Sequence, residues 1–170
     1  MSEPTRPLAT GPSATGPSAT GTVRVDASPE VVYGLLTDLP TLAALAEEAV
    51  AMEWRKGDPG GRGVRPGAVF TGHNASASRR WSTRCTVTDA EPGRQFAFEV
   101  THTVLPIARW QYDIVADGAG CLVTESTWDR RPGWFRKLAG KATGVPDRAA
   151  ANAEHIRLTL QRLKQRAEAG

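Results

Sequence analysis

Residues 147–168 constrain the chain more than any other stretch. Ala149, Ala153, Ile156, Leu160, Leu163 and Ala167 recur at spacings of three and four, so on a helix they share one stripe. Arg148, Glu154, Arg157, Arg162, Lys164 and Arg166 fall mostly elsewhere. Pro146 and Asp147 open this helix: the Asp147 side chain can cap free N–H groups, and basic residues crowd the last turns, where the helix dipole favours positive charge. A helix of about twenty residues is about 30 Å long. Its stripe needs an apolar partner of similar length, and the preceding chain offers only a run of β-strands. The pattern predicts a curved sheet wrapped around a C-terminal helix.

The rest of the chain supplies that sheet. Residues 1–21 repeat Ala-Thr-Gly-Pro-Ser in tandem at 9–13 and 14–18, a composition that buries too little surface to offset ordering entropy. They are expected to be a disordered tail. A short strand over 22–26 places Val23 and Val25 on one face. Ser28-Pro29-Glu30 then starts a helix with a capping hydroxyl, a proline at the first position and an acid at the positive end. Val32, Leu35 and Leu36 form its core face. Pro40 marks a restart, and Leu42, Leu45 and Ala46 carry a second short helix. Val50, Met52 and Trp54 alternate with Ala51 and Glu53 as a second strand. Residues 55–67 form a Gly-rich loop with no Gly-Lys-Ser/Thr ending, between flanks that read as strands. This rejects a phosphate loop.

Five further runs alternate with period two, separated by turns such as Glu91-Pro92-Gly93-Arg94. The faces are Phe70, Gly72 and Asn74; then Trp81, Thr83, Cys85 and Val87. Next come Phe96, Phe98, Val100 and His102; then Trp110, Tyr112, Ile114 and Ala116; finally Cys121, Val123, Glu125 and Thr127. Such a series reads as an antiparallel meander with one buried face. Residues 130–144 are a basic amphipathic segment, with Trp134, Phe135 and Leu138 among Arg130, Arg131, Arg136, Lys137 and Lys141.

Length and composition narrow the function. At 170 residues, a single domain over 22–168 is expected. No apolar run is long enough to cross a membrane, and no signal peptide is visible, so a cytoplasmic protein is expected. A net charge of +3 without a basic stripe or known motif argues against nucleic acid. Cys85 and Cys121 read as buried free thiols, and three dispersed histidines give no metal-ligand spacing. No metal or cofactor is expected.

The order of strand, two short helices, six strands and long helix resembles the helix-grip superfamily of START domains, birch-allergen-like proteins and polyketide cyclase/dehydrase-type proteins, often called SRPBCC. The resemblance covers about 22–168. It is carried by residues 23–33, by the Glu91-Pro92-Gly93-Arg94 turn before Phe96-Ala97-Phe98, and by Asn152-Ala153-Glu154-His155-Ile156. It implies an α+β fold in which a seven-stranded antiparallel sheet grips the last helix, with two short helices between the first and second strands. A cavity between sheet and helix would bind lipids, sterols or polyketide intermediates. Cyclases of this superfamily are thought to use an arginine, tyrosines and water. Here Arg79, Arg80 and Arg84 depart from that pattern, and Arg84 lies on the face opposite Trp81.

Of five Trp, two Tyr and four Phe residues, Phe70, Trp81, Phe96, Phe98, Trp110 and Tyr112 fall on inward faces. With Ile156 and Leu160 they are the candidate ligand-binding residues, as wall or as core filler. Four polar residues share those faces and are the candidates for chemistry: Asn74, His102, Tyr112 and Glu125, with Asn152 nearby in phase. Glu125 reads either as a rim carboxylate paired with an arginine or as a buried acid with a raised pKa. Tyr112 reads as a donor to a ligand carbonyl or as a core tyrosine bonded to backbone. The first functional expectation is a carrier of an apolar small molecule. The alternatives are a cyclase or dehydratase using these polar groups, and a membrane-surface or partner-binding module using 130–141. The oligomeric state is open.

Overall fold

A computed structural model describes residues 16–60, 62–143 and 147–170, and the side chains of all of these except 139–143. Most of the expected tail, 1–15, and Pro146 lie outside the described residues. Seven strands run in chain order: β1 (Ala19–Val25), β2 (Ala49–Lys56), β3 (Val69–Ser76), β4 (Arg79–Glu91), β5 (Gln95–His102), β6 (Leu105–Asp117) and β7 (Gly120–Asp129). Between β1 and β2 lie α1 (Pro29–Thr37) and α2 (Leu39–Leu45); after β7 come α3 (Gly133–Thr143) and α4 (Arg148–Glu168). One sheet holds all seven strands in the order β1-β7-β6-β5-β4-β3-β2. Every neighbouring pair is antiparallel. The chain therefore forms a meander from β2 to β7, and β1 closes its end beside β7. The fold is the α+β helix grip.

Local chemistry sets the helix ends. The Ser28 hydroxyl accepts from the Val31 N–H at 3.3 Å, Asp38 accepts from Thr41 at 3.1 Å and Asp147 accepts from Ala150 at 3.0 Å. α4 packs against β1, β7, α1 and α2. Its C-terminal end is pinned to β1: Lys164 donates to the Arg24 carbonyl at 2.9 Å, and Glu168 accepts from the Asp26 N–H at 2.8 Å. Arg162 donates to the Leu45 carbonyl at 3.0 Å, satisfying the exposed end of α2.

Three details differ from the sequence reading. β1 begins at Ala19, inside the span expected to be tail, and Ala19 pairs with Thr127. Val50 does not share a face with Met52 and Trp54. A bulge between Ala49 and Ala51 takes it out of the ladder, and it stands 56 % exposed. On α4, Ala149 and Ala153 face outward, and the buried residues are Asn152, Ile156, Thr159, Leu160, Leu163 and Ala167. The stripe is rotated at its N-terminal end, where the helix faces a hollow rather than packed side chains.

The core is filled at one end of the grip. Phe70 lies 5.1 Å from Phe98 and 5.6 Å from Trp54, ring centre to ring centre, and Phe96 lies 5.6 Å from Phe98. Val32, Leu36, Leu39 and Leu42 from α1 and α2 join Val25, Val123, Ile156 and Leu163 in the same cluster.

Candidate ligand cavity

The other end of the grip is hollow. A cavity of about 660 Å³ lies between the sheet and the N-terminal half of α4, within the usual range for small-molecule sites. β3 and β4 contribute Gly72, Asn74, Trp81, Thr83 and Cys85; β5 and β6 contribute Phe98, Val100, Trp110 and Tyr112. Gly72 helps keep this space open. A Cβ there would lie 3.1 Å from Thr83 Oγ1 and project among the lining side chains Asn74 and Cys85. Phe135 and Leu138 from α3 complete the wall at one side, and Asn152, His155 and Thr159 face it from α4. A second, more open hollow of about 790 Å³ between α2 and β2 has no aromatic lining.

Glu125 is the unusual group in this wall. It is 2 % exposed. Tyr112 on the adjacent strand lies directly across from it, and its hydroxyl donates to Glu125 Oε1 at 2.9 Å. Glu125 Oε2 is buried and has no hydrogen-bond partner among the described residues. Burial pushes the Glu125 carboxyl up to about 8, and the Tyr112 hydrogen bond, which favours the ionised form, offsets only part of that. Tyr112 is held well above its ordinary value, first by burial and then by the neighbouring carboxyl. At neutral pH the pair is mostly uncharged. The alternative of a rim carboxylate paired with arginine does not describe Glu125, because the side chain lies deep in the sheet and its hydrogen-bond partner is a tyrosine.

The sequence of this chain matches, over residues 17–168, the family described as polyketide cyclase / dehydrase and lipid transport. The chain belongs to that family. Solved structures share its fold. The Polyketide_cyc-like protein Cgl2372 of Corynebacterium glutamicum is 24 % identical, with a TM-score of 0.59, covering 88 % of this chain and 90 % of its own. The di-domain ARO/CYC protein StfQ of the steffimycin biosynthetic pathway is 12 % identical, with a TM-score of 0.68. There the match covers 88 % of this chain and 50 % of StfQ, so this chain spans about half of the di-domain protein. The Aha1 protein of Colwellia psychrerythraea is 14 % identical, with a TM-score of 0.59, covering 88 % of this chain and 95 % of its own. No curated protein sequence matches the chain. The family's description spans chemistry on polyketides and carriage of lipids, so membership agrees with a ligand-binding or cyclase-type role and leaves open which one.

Within this polyketide cyclase/dehydrase family member, the structure divides the sequence-predicted residues between wall and core. Trp81, Phe98, Trp110, Tyr112, Glu125, Asn74, His102 and Asn152 all line the cavity. Phe70, Phe96, Ile156 and Leu160 are buried but lie outside its wall, where they pack the filled end. His102 sits at an exposed strand end, its Nδ1 3.0 Å from the Ser82 carbonyl. Asn74 donates to the Gly72 carbonyl at 3.1 Å. Cys85 is buried, and burial pushes its thiol up to about 12, which removes it as a nucleophile. Among the described residues no His/Cys/Asp/Glu group could hold a metal ion, and no helix is long and apolar enough to cross a membrane.

Several wall residues escaped the sequence reading. Arg131 belongs to the basic amphipathic segment, yet its side chain is 9 % exposed. It grips Asp129 with Nε and Nη2 at 2.9 and 2.7 Å. Burial alone would raise the Asp129 carboxyl; the Arg131 bonds and charge outweigh it and hold the group below the usual carboxylate range. Arg130 is likewise not a free wet cation: it pairs with Glu99 at 3.4 Å. Arg148, the first residue of α4, bonds both Glu48 oxygens at 2.9 and 3.0 Å and ties the helix to the start of β2. Arg79 and Arg80 also line the cavity, whereas Arg84 is exposed. Ile107 enters the wall beside Ala108 because a register shift between Val100 and Thr101 breaks the alternation of the β5–β6 pair. The one available signal was Asp129-Arg130-Arg131 at a strand end, a carboxylate beside two guanidinium groups.

Proposed function

We propose that this chain binds an apolar small molecule, lipid-like or polyketide-like, between the sheet and α4. The observation that carries this reading is the hollow end of the grip: about 660 Å³ walled by Trp81, Phe98, Trp110, Met52 and Leu42, with charged and polar side chains such as Glu48, Arg79, Arg80, Arg131 and His102 also in the wall. The indole and phenyl faces suit a flat or greasy body. The Tyr112–Glu125 pair supplies one polar contact point. We place the protein in the cytoplasm, where the free thiols Cys85 and Cys121 would stay reduced. Native mass spectrometry of protein purified from its own host tests the reading. The expected result is a mass excess that disappears on denaturation and belongs to an apolar compound. Repeated recovery of ligand-free protein that also refuses flat aromatic and acyl probes would overturn it.

A second reading is an enzyme of the cyclase or dehydratase type. Its specific support is that a buried carboxyl with a pKa near 8 is poised to give or take a proton at neutral pH. Incubation with a poly-β-ketone analogue separates the two. A carrier returns the analogue unchanged, and an enzyme accelerates its cyclisation or water loss in a manner that Glu125→Gln abolishes.

A further inference from the structure

Glu125 presents two carboxyl oxygens with different fates. Oε1 accepts the Tyr112 hydroxyl at 2.9 Å. Oε2 is buried and has no partner among the described residues; it belongs to a side chain in the cavity wall and is itself covered, so contact with a ligand requires a small displacement of the carboxyl. A buried polar atom with no partner is costly, and native structures rarely tolerate one without a role. We propose that the neutral Glu125 carboxyl donates a hydrogen bond from Oε2 to the carbonyl oxygen of an uncharged apolar ligand, and so is the specificity-determining residue of the cavity; this rests on the ligand-binding reading above.

The donor assignment follows from the wall. Tyr112 already spends its proton on Oε1, so the carboxyl proton sits on Oε2, and the complementary ligand atom is an acceptor. A ketone or quinone oxygen supplies lone pairs without a charge. A ligand carboxylate would bring a second acid against the first, and a cationic amine would require Glu125 to ionise where burial opposes it. The flat rings of Trp81, Phe98 and Trp110 complete a site for a carbonyl on an aromatic frame.

The other ionisable groups around the cavity are accounted for. Tyr112 on β6 is the one bonded to Glu125 and stays protonated over the working range. From the remaining elements, Glu48 pairs with Arg148 of α4, Asp129 pairs with Arg131 on β7, and Glu47 pairs with Arg162 of α4. His102 on β5, His155 on α4, and Arg79, Arg80 and Cys85 on β4 also line the space, and burial keeps the Cys85 thiol protonated. A Glu125→Gln variant keeps all of these unchanged, and its amide N–H₂ still donates. The variant therefore isolates the titration of Glu125 itself.

The test uses three probes on the full chain: fluorene, 9-fluorenone and fluorene-2-carboxylate. Binding is followed by tryptophan fluorescence, and the bound ketone by its infrared carbonyl stretch. At pH 6.5 the wild type should prefer fluorenone to fluorene by about tenfold, the value of one net hydrogen bond. The carboxylate should bind more weakly than fluorene, and the stretch of bound fluorenone should move to lower wavenumber. Raising the pH past about 8 should erase the preference in the wild type and leave it in Glu125→Gln. Glu125→Leu, shown folded by circular dichroism, should bind both neutral probes equally. If Glu125→Leu does not fold, the contrast in pH profile between wild type and Glu125→Gln decides alone. Equal binding of fluorenone and fluorene by the wild type would overturn the donor assignment while leaving the cavity reading intact. Failure of every probe to bind would overturn both, and tighter binding of the carboxylate would overturn the donor assignment.

Discussion

Gly21 of β1 lies so close to Ile156 of α4 that a Cβ on the glycine would sit 2.8 Å from Ile156 Cγ2. Gly21 is also the residue directly across from Glu125 in the β1–β7 pair. The absent side chain lets α4 settle against the edge of the sheet, so the helix is tight at β1 and stands off from β4–β6, where the cavity opens. Ile156 is 1 % exposed and β-branched, so it has little room to yield. Gly21→Val should therefore destabilise the fold by about 1–3 kcal/mol, the range for overpacking. Urea denaturation measures it; an unchanged midpoint would show that α4 shifts freely, and with it the cavity.

The stability of the chain should depend on pH through Glu125. Its folded pKa, about 8, is raised above the ordinary value of 4.5. The folded state therefore holds a proton that the unfolded state has released between these values. The contribution is fully present below about pH 4.5 and is lost as pH rises toward 8, with a slope approaching ~1.4 kcal/mol per pH unit. Glu125→Gln removes that slope while Tyr112 keeps an oxygen to donate to. Near pH 8 the variant should equal or exceed the wild type in stability. Denaturation midpoints of both proteins at pH 5, 6, 7 and 8 give the difference directly, and a variant clearly less stable than wild type at pH 7 would contradict the buried neutral acid.

How much of this was legible in the sequence follows from which signals are local. The caps at Ser28 and Asp147 and most positions on the strand faces of β3–β7 depend on a few neighbouring residues, so spacing alone placed them; His102 and Ala116, near strand ends, stand exposed instead. Val50 was misplaced because its bulge is set by pairing with β3, a relationship absent from the β2 sequence. Ala149 and Ala153 were misplaced for a different reason. Helical periodicity assumes that the inner face is apolar, but the N-terminal half of α4 turns Asn152, His155 and Thr159 toward a cavity. Arg131 read as solvated because nothing in its own segment shows that Asp129 holds it against the wall. Strand phase correctly assigned Phe96 and Trp110 to the inner face, yet phase does not tell the filled end of a grip from the hollow end.

That last distinction has a measurable consequence. Phe96 is fully buried outside the cavity wall, whereas Trp110 is part of the wall. Phe96→Ala should cost about 3–5 kcal/mol of stability, as expected for a buried aromatic. Trp110→Ala should cost less, and it should weaken binding of a flat aromatic ligand by about tenfold, or ~1.4 kcal/mol. In the wild type, such a ligand should change tryptophan fluorescence saturably with a dissociation constant on the order of micromolar, about −8 kcal/mol. Parallel melting curves and titrations check both variants. Equal stability losses with no change in affinity would identify Trp110 as core filler.

The remaining prediction concerns α3. Phe135 and Leu138 line the cavity, while Trp134 stands 60 % exposed and packs edge-on against Phe135 at 5.7 Å. Leu138 is itself 59 % exposed, so it meets both cavity and solvent. This arrangement is the one expected of a flap over the cavity opening. Arg136 and Lys137 on the same helix remain exposed and keep its outer side wet. Phe135→Ser should speed the release of a bound aromatic probe by about tenfold, comparable to losing ~1.4 kcal/mol of contact, and should change the melting temperature little. Stopped-flow displacement measures the release. The competing role for a basic amphipathic helix is attachment to anionic lipid. Sedimentation with vesicles rich in phosphatidylserine distinguishes them: a flap leaves the protein in the supernatant. Salt-sensitive pelleting that disappears when Trp134 and Phe135 are both changed to Ser would instead assign α3 to the membrane surface.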